Sequence, residues 1–234
     1  MQFEILFGLT ILVDIIKFIL FLILLKNLIQ YKNKRERPAY NLLVGFTILM
    51  FCLFLSRFFY IIFDFVLTKF NISLYPLSPN IWFWKLGSAT SSIGLIHILY
   101  FLDKKIYNLK FKGIFGILPL IGAIILILFP IKNLEDFQIL SFISIFFATG
   151  AIIVLIIFTD LIRKTVGSVR RMGIFIVTGL ILWTIGGTFL NINIVNYFIE
   201  MIGNWIQIPI YIISAMIKII GLILFSNGAI KLEI

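Results

Sequence analysis

Seven long apolar stretches, separated by short loops whose positive charge alternates along the chain, restrict this sequence more than any other feature. Each stretch approaches the ~20 apolar residues needed to cross a bilayer core of ~30 Å. Backbone amides in lipid must be satisfied within their own segment, so unbroken apolar runs of this length become helices. The short alternating segments of a transmembrane barrel are not seen. The expected fold class is an all-α integral membrane protein, a seven-transmembrane-helix bundle forming one domain over residues 1–234. The expected spans are Phe3–Leu25, Tyr40–Leu67, Ile81–Leu102, Gly113–Phe129, Phe137–Ile162, Met172–Leu190 and Trp205–Ile230.

Loop charges orient the bundle. Fourteen of the 20 basic residues fall beside alternate span ends: Lys26, Lys32, Lys34, Arg35 and Arg37, then Lys104, Lys105, Lys110 and Lys112, then Arg163, Lys164, Arg170 and Arg171, and last Lys231. The opposite loops hold only Lys69 and Lys132. By the positive-inside rule the N-terminus is expected outside and the C-terminus in the cytoplasm. The net charge of +10 is therefore topogenic, and nucleic acid is not an expected partner. A plasma-membrane, multi-pass location follows, with the lipid bilayer as first partner. The first stretch carries Asp14 and Lys17 and lacks a small-residue cleavage site, so it is expected to be a retained helix. Asn71-Ile72-Ser73 forms an N-glycosylation sequon on the expected outer side. Trp82, Trp84 and Trp205, with Tyr60 and Tyr197 nearby, read as an interfacial aromatic belt.

The residues a bilayer should exclude are the most informative about function. Asp14 and Lys17 lie near the middle of the first span, Arg57 and Asp64 in the outer half of the second, Lys85 at the outer end of the third, and Lys218 near the middle of the last. Each mid-membrane charge costs ~2.5–3.5 kcal/mol on insertion scales, so it should face the interior and find a partner. Asp14 and Lys17 are three residues apart, on one helical face; Arg57 and Asp64 are seven apart, again on one face. The four cations outnumber the two anions, which leaves either a deprotonated lysine or an anionic partner. Arginine offers a rigid fork for carboxylate or phosphate and lysine a point charge, and Ser88 adds a hydroxyl at the same level. Arg57, Asp64, Lys85 and Ser88, with Asp14, Lys17, Trp183 and Lys218, are the candidate ligand-binding residues of a polar cavity between the first, second, third and seventh spans. Its expected ligand is small and anionic or zwitterionic. Structural pairing of these charges is the bland alternative.

Small residues Gly87-Ser88-Ala89-Thr90-Ser91-Ser92 and Gly94 in the third span favour close helix packing over a pore lining. The run Ile93-Gly94-Leu95-Ile96 echoes Ile220-Gly221-Leu222-Ile223, but four apolar letters are too few to establish an internal repeat of the transporter kind. Cys52 is the only cysteine and lies in an apolar run, so no intrachain disulfide forms. His97 is the only histidine, no metal site is expected, and no metalloprotease, nucleophile-elbow or P-loop motif occurs. An enzyme is therefore not expected.

Lys218 in the middle of the last span, followed by Ile219-Ile220-Gly221-Leu222-Ile223-Leu224, and Trp183 in the sixth resemble the microbial rhodopsins. That family has seven helices with the N-terminus outside and binds retinal as a Schiff base on such a lysine. The resemblance implies Lys218 as a cofactor-binding residue, if retinal is bound, and Trp183 as a pocket wall. The chain has Ser214 where the family carries an aspartate, Ser88 after Lys85 where it carries an acid, and Gly186 and Gly187 after Trp183. Taken together, the residues lead to a non-enzymatic, receptor- or sensor-like seven-helix protein without a cofactor, with a membrane or cytoplasmic protein partner met through its basic loops. A small-solute or ion transporter or channel is the first alternative, and a retinal protein the second.

Overall fold

In a computed structural model, residues 2–31, 38–106, 113–143, 145–190 and 192–231 are described, and every regular element among them is helical. The α-helices are α1 (Gln2–Gln30), α2 (Pro38–Ile61), α3 (Asn80–Ile106), α4 (Ile114–Leu128), α5 (Leu134–Ile143), α6 (Ile145–Lys164), α7 (Gly167–Thr188), α8 (Ile192–Ile202) and α9 (Gln207–Ile230). A π-helical turn, Ile62–Leu67, extends α2, and short 3₁₀ turns stand at Ile72–Leu74 and before α9 at Asn204–Ile206.

Four of these helices are long and apolar enough to cross a membrane: Gln2–Gln30, Tyr40–Leu67, Gly167–Thr188 and Asn204–Ile230. The protein is thus an all-helical membrane protein with four candidate spans among the described residues. The third expected stretch, α3, is long, but its run of small hydroxyl residues dilutes its hydropathy. The fourth, α4, has 15 residues. The fifth is covered by α5 and α6 on either side of residue 144, which lies outside the described residues. So do several of the orienting basic residues: Lys32, Lys34, Arg35, Arg37, Lys110 and Lys112. One element had no counterpart in the apolar runs: α8 occupies a segment between the last two expected spans.

The chain forms two compact units, residues 1–20 with 158–234, and residues 21–157. In the first, α7 and α9 run antiparallel with their backbones in contact. A Cβ on Gly179 would stand 2.6 Å from the Gly221 carbonyl oxygen and 2.5 Å from the Phe225 nitrogen, and one on Gly221 2.6 Å from the Trp183 nitrogen. Gly228 meets Ile176 and Met172 two turns further along, and Gly186 meets Ser214 and Lys218 at the other end. Small residues thus recur every seventh position, Gly179–Gly186 on α7 and Ser214–Gly221–Gly228 on α9. That period keeps one seam facing a neighbouring helix, and small side chains let the two backbones close. Helix α1 contributes a buried face of Thr10, Val13, Asp14, Lys17 and Leu20, the three-and-four spacing of one helical side.

In the second unit α2 and α3 pack antiparallel in the same manner. A Cβ on Gly94 would lie 2.8 Å from the Cys52 Cβ, and one on Gly87 would meet the Tyr60 ring at 3.1 Å. Both glycines of the Ile-Gly-Leu-Ile echo, Gly94 and Gly221, therefore mark close helix approaches, each in its own unit. At the far end of this pair, around buried Ile81, Phe137 meets Tyr75 and Trp84 edge to face and stacks on Phe63, which is tilted against Tyr75. Trp84 thus belongs to a core cluster, whereas Trp82 is exposed, as a belt residue would be. Burial in this cluster pushes the Tyr75 phenol above its ordinary value, and the Asp64 carboxylate acts in the same direction.

Candidate functional site

The candidate residues divide between the units. Arg57, Asp64, Lys85 and Ser88 belong to residues 21–157; Asp14, Lys17, Trp183 and Lys218 belong to the other unit.

In the first group, α2 carries Arg57 and Tyr60, three apart, and the π-helical turn that extends it carries Asp64, four residues further on. Arg57 and Asp64 are half-buried and close enough for their charges to interact. Between them the Tyr60 hydroxyl shares a 2.5 Å hydrogen bond with the Ser88 hydroxyl of α3, and Ser88 is buried. The Ser88 carbonyl accepts from the hydroxyls of Ser91 (2.8 Å) and Ser92 (2.6 Å), so these serines satisfy their own helix. Tyr60 is the member of this group that sequence reasoning assigned only to the aromatic belt. Its spacing from Arg57 and Asp64 was the available signal.

The backbone around Asp64 is irregular. Asp64 sits inside the π-helical turn, the Thr68 amide and hydroxyl both donate to the Phe63 carbonyl, and the Phe70 amide donates to the Asp64 carbonyl at 3.2 Å. Lys69 (φ 48°) and Phe70 (φ 59°) then adopt the left-handed conformation, uncommon for side chains of their size. Single π-turns within α-helices concentrate at functional sites, and strained backbone does so as well.

Lys85 is buried and faces α4. Its ammonium donates to the carbonyls of Phe129 (2.7 Å) and Ile127 (3.1 Å) and stands 5.1 Å from the Trp82 ring centroid. Those carbonyls close the C-terminus of α4, which a cation complements. At the opposite end of α3, Asp103 is fully buried and accepts from the Gly113 amide at 2.5 Å, where α4 begins. Helix α3 therefore grips α4 at both ends, each charge matched to the local sign of the helix dipole. Asp103 escaped sequence reasoning because it stands among Lys104 and Lys105 at a span end and reads as a solvated loop acid.

In the second group, Asp14 and Lys17 form a buried pair, with Lys17 Nζ 3.7 Å from Asp14 Oδ1. Lys218 is half-buried, and its stem passes Gly186, where a Cβ would come within 2.8 Å of Lys218 Cγ. The Ser214 hydroxyl donates to the Gly186 carbonyl at 2.6 Å, one turn before Lys218. Trp183, also half-buried, lies between the Gly179 and Gly186 contacts of the same seam. His97 is exposed, with Nδ1 3.0 Å from the Ile93 carbonyl. Among the described residues no group of three metal-capable side chains occurs.

Comparison with protein-family models, with curated proteins and with solved structures finds no match. The likeness to the microbial rhodopsins thus rests on Lys218, Trp183 and the Ile219–Leu224 run alone.

Proposed function

We propose that the chain is a non-enzymatic, receptor- or sensor-like protein of the plasma membrane with seven spans, an outside N-terminus and a cytoplasmic C-terminus. On this reading it recognises a small anionic or zwitterionic ligand at Arg57, Tyr60, Asp64 and Ser88. The observation that carries it is the Arg57–Tyr60–Asp64 group, joined to α3 through Ser88 and ending in a π-turn with strained backbone beyond it. A guanidinium and a carboxylate on one side of the helix offer opposite charges to a zwitterion, with the Tyr60 and Ser88 hydroxyls between them. Lys85 contributes as an anchor for α4 at the edge of this group, its ammonium already engaged by carbonyls.

The test is a thermal-unfolding screen of purified protein against amino acids, small carboxylates and inorganic phosphate. At least one compound should raise the melting temperature of the natural protein and leave Arg57→Gln and Asp64→Asn unmoved. A panel that shifts nothing, or a shift that survives Arg57→Gln, refutes the reading.

The buried Asp14–Lys17 pair favours a second reading, transport of a small solute or ion, because intramembrane charges also mark substrate paths. Flux into proteoliposomes that Asp14→Asn abolishes would select it. Retinal on Lys218 has in its favour that Lys218 and Trp183 flank the same α7–α9 seam. A visible absorption band on adding retinal, absent in Lys218→Arg, is its test.

A further inference from the structure

We infer that α8 is an interfacial helix that lies along one face of the bilayer, with its apolar flank in the headgroup–acyl boundary of neutral lipid. Its position in the fold demands a membrane surface nearby. Helices α7 and α9 are both candidate spans and pack antiparallel along their length, so Thr188 and Gln207 reach the same membrane face. Helix α8 has 11 residues and is tied between these two ends, too short to cross and too tightly tethered to leave.

Its side chains sort by face. Val195 is buried, and Ile194, Phe198 and Ile199 are half-buried, which gives the side turned to the protein. Asn196 and Glu200, four apart, form an exposed polar stripe. Tyr197 and Met201, also four apart, form the neighbouring stripe and are 58% and 64% exposed. Beyond the end of α8, Trp205 in the following 3₁₀ turn is 67% exposed. An exposed stripe of tyrosine and methionine beside a polar stripe, with an exposed tryptophan just beyond the helix, is the pattern of a helix lying in the interface plane, with its apolar face roughly 5–10 Å deep. Most such helices add lysines and arginines that attract anionic lipid. Residues 189–207 contain none, and Glu200 is the only charge, so apolar burial alone holds α8 and lipid charge should not matter.

The experiment uses the full chain with Cys52→Ser, reconstituted in vesicles of phosphatidylcholine alone and of phosphatidylcholine with added phosphatidylglycerol. Nitroxide labels are placed singly at Tyr197→Cys, Met201→Cys, Asn196→Cys and Glu200→Cys, with Ile220→Cys on α9 as a reference for insertion. The ratio of oxygen to water-soluble nickel-chelate collision should be several-fold higher at 197 and 201 than at 196 and 200, and equal in the two lipid mixtures. High nickel accessibility at 197 and 201 beside a lipid-exposed 220 overturns the inference while leaving α9 a span. Exclusion of both reagents at 197 and 201 overturns it in favour of a protein partner, and water access at 220 removes the spans on which it stands. A depth that requires anionic lipid refutes the charge-independent docking.

Discussion

Gly186 and Gly187 are adjacent in sequence, and geometry separates them completely. A methyl on Gly186 would meet the Ser214 carbonyl at 2.9 Å and the Lys218 nitrogen at 3.0 Å, whereas one on Gly187 meets nothing within 4 Å. Backbone atoms cannot swing aside, so Gly186→Ala should destabilise by ~1–3 kcal/mol, as overpacked cores do. Gly187→Ala should be neutral or stabilising by up to about 1 kcal/mol through helix propensity. Chemical denaturation in mild detergent distinguishes the two, and equal behaviour would mean α7 and α9 do not meet at this seam. The Asp14–Lys17 pair invites a different comparison. Removing one member leaves a buried charge at a cost of ~3–5 kcal/mol, while replacing both with leucine is often neutral. The double variant Asp14→Leu/Lys17→Leu should therefore be more stable than either single one. If it is stable yet loses ligand response or flux, the pair has a role beyond holding α1.

At the scale of elements, α4 depends on α3 for both its ends. The Lys85 ammonium serves the carbonyls of Ile127 and Phe129, and the Asp103 carboxylate serves the Gly113 amide. Hydrogen bonds to charged groups contribute ~1.5–3 kcal/mol each, so Lys85→Met and Asp103→Ala should each lower stability by about 2 kcal/mol. Hydrogen exchange at the first and last turns of α4 should rise selectively in the matching variant. Uniform exchange across α4 in both variants would show that α4 is held by its flanks instead. These ends were hidden in the sequence because the partners are 42 and 44 residues apart for Lys85 and 10 for Asp103, beyond any local spacing rule. The helices themselves were legible: expected stretches coincide with α1, α2 with its π-turn, α3, α4, α7 and α9 to within a few residues at most ends. Helix α8 was not, because asparagines at positions 191, 193 and 196 interrupt its apolar residues and leave no unbroken run.

For the molecule as a whole, the charge asymmetry of the loops makes the strongest claim. A reporter fused after Ile234 should be cytoplasmic, and one inserted between Lys69 and Asn80 external. Finding both on one side would overturn the seven-span order. Of the candidate residues, Arg57, Asp64 and Ser88 share a unit with Tyr60, because one helical face and one neighbouring helix suffice to bring them near. Asp14, Lys17, Trp183 and Lys218 belong to the other unit, a division that no pattern of spacings along the chain specifies.

Length also matters in its own right. At ~1.5 Å per residue, the 15 residues of α4 extend roughly 22 Å, well short of a ~30 Å hydrocarbon core. On the proposed seven-span order, in which α4 crosses, the bilayer must thin towards its ends or admit the polar groups of Lys85 and Asp103 that meet them. Thicker membranes would then strain this part of the protein first and thinner ones relieve it, at fractions of a kcal/mol per ångström. On that order, hydrophobic mismatch would make the thickness of the host membrane a variable to which α4 responds.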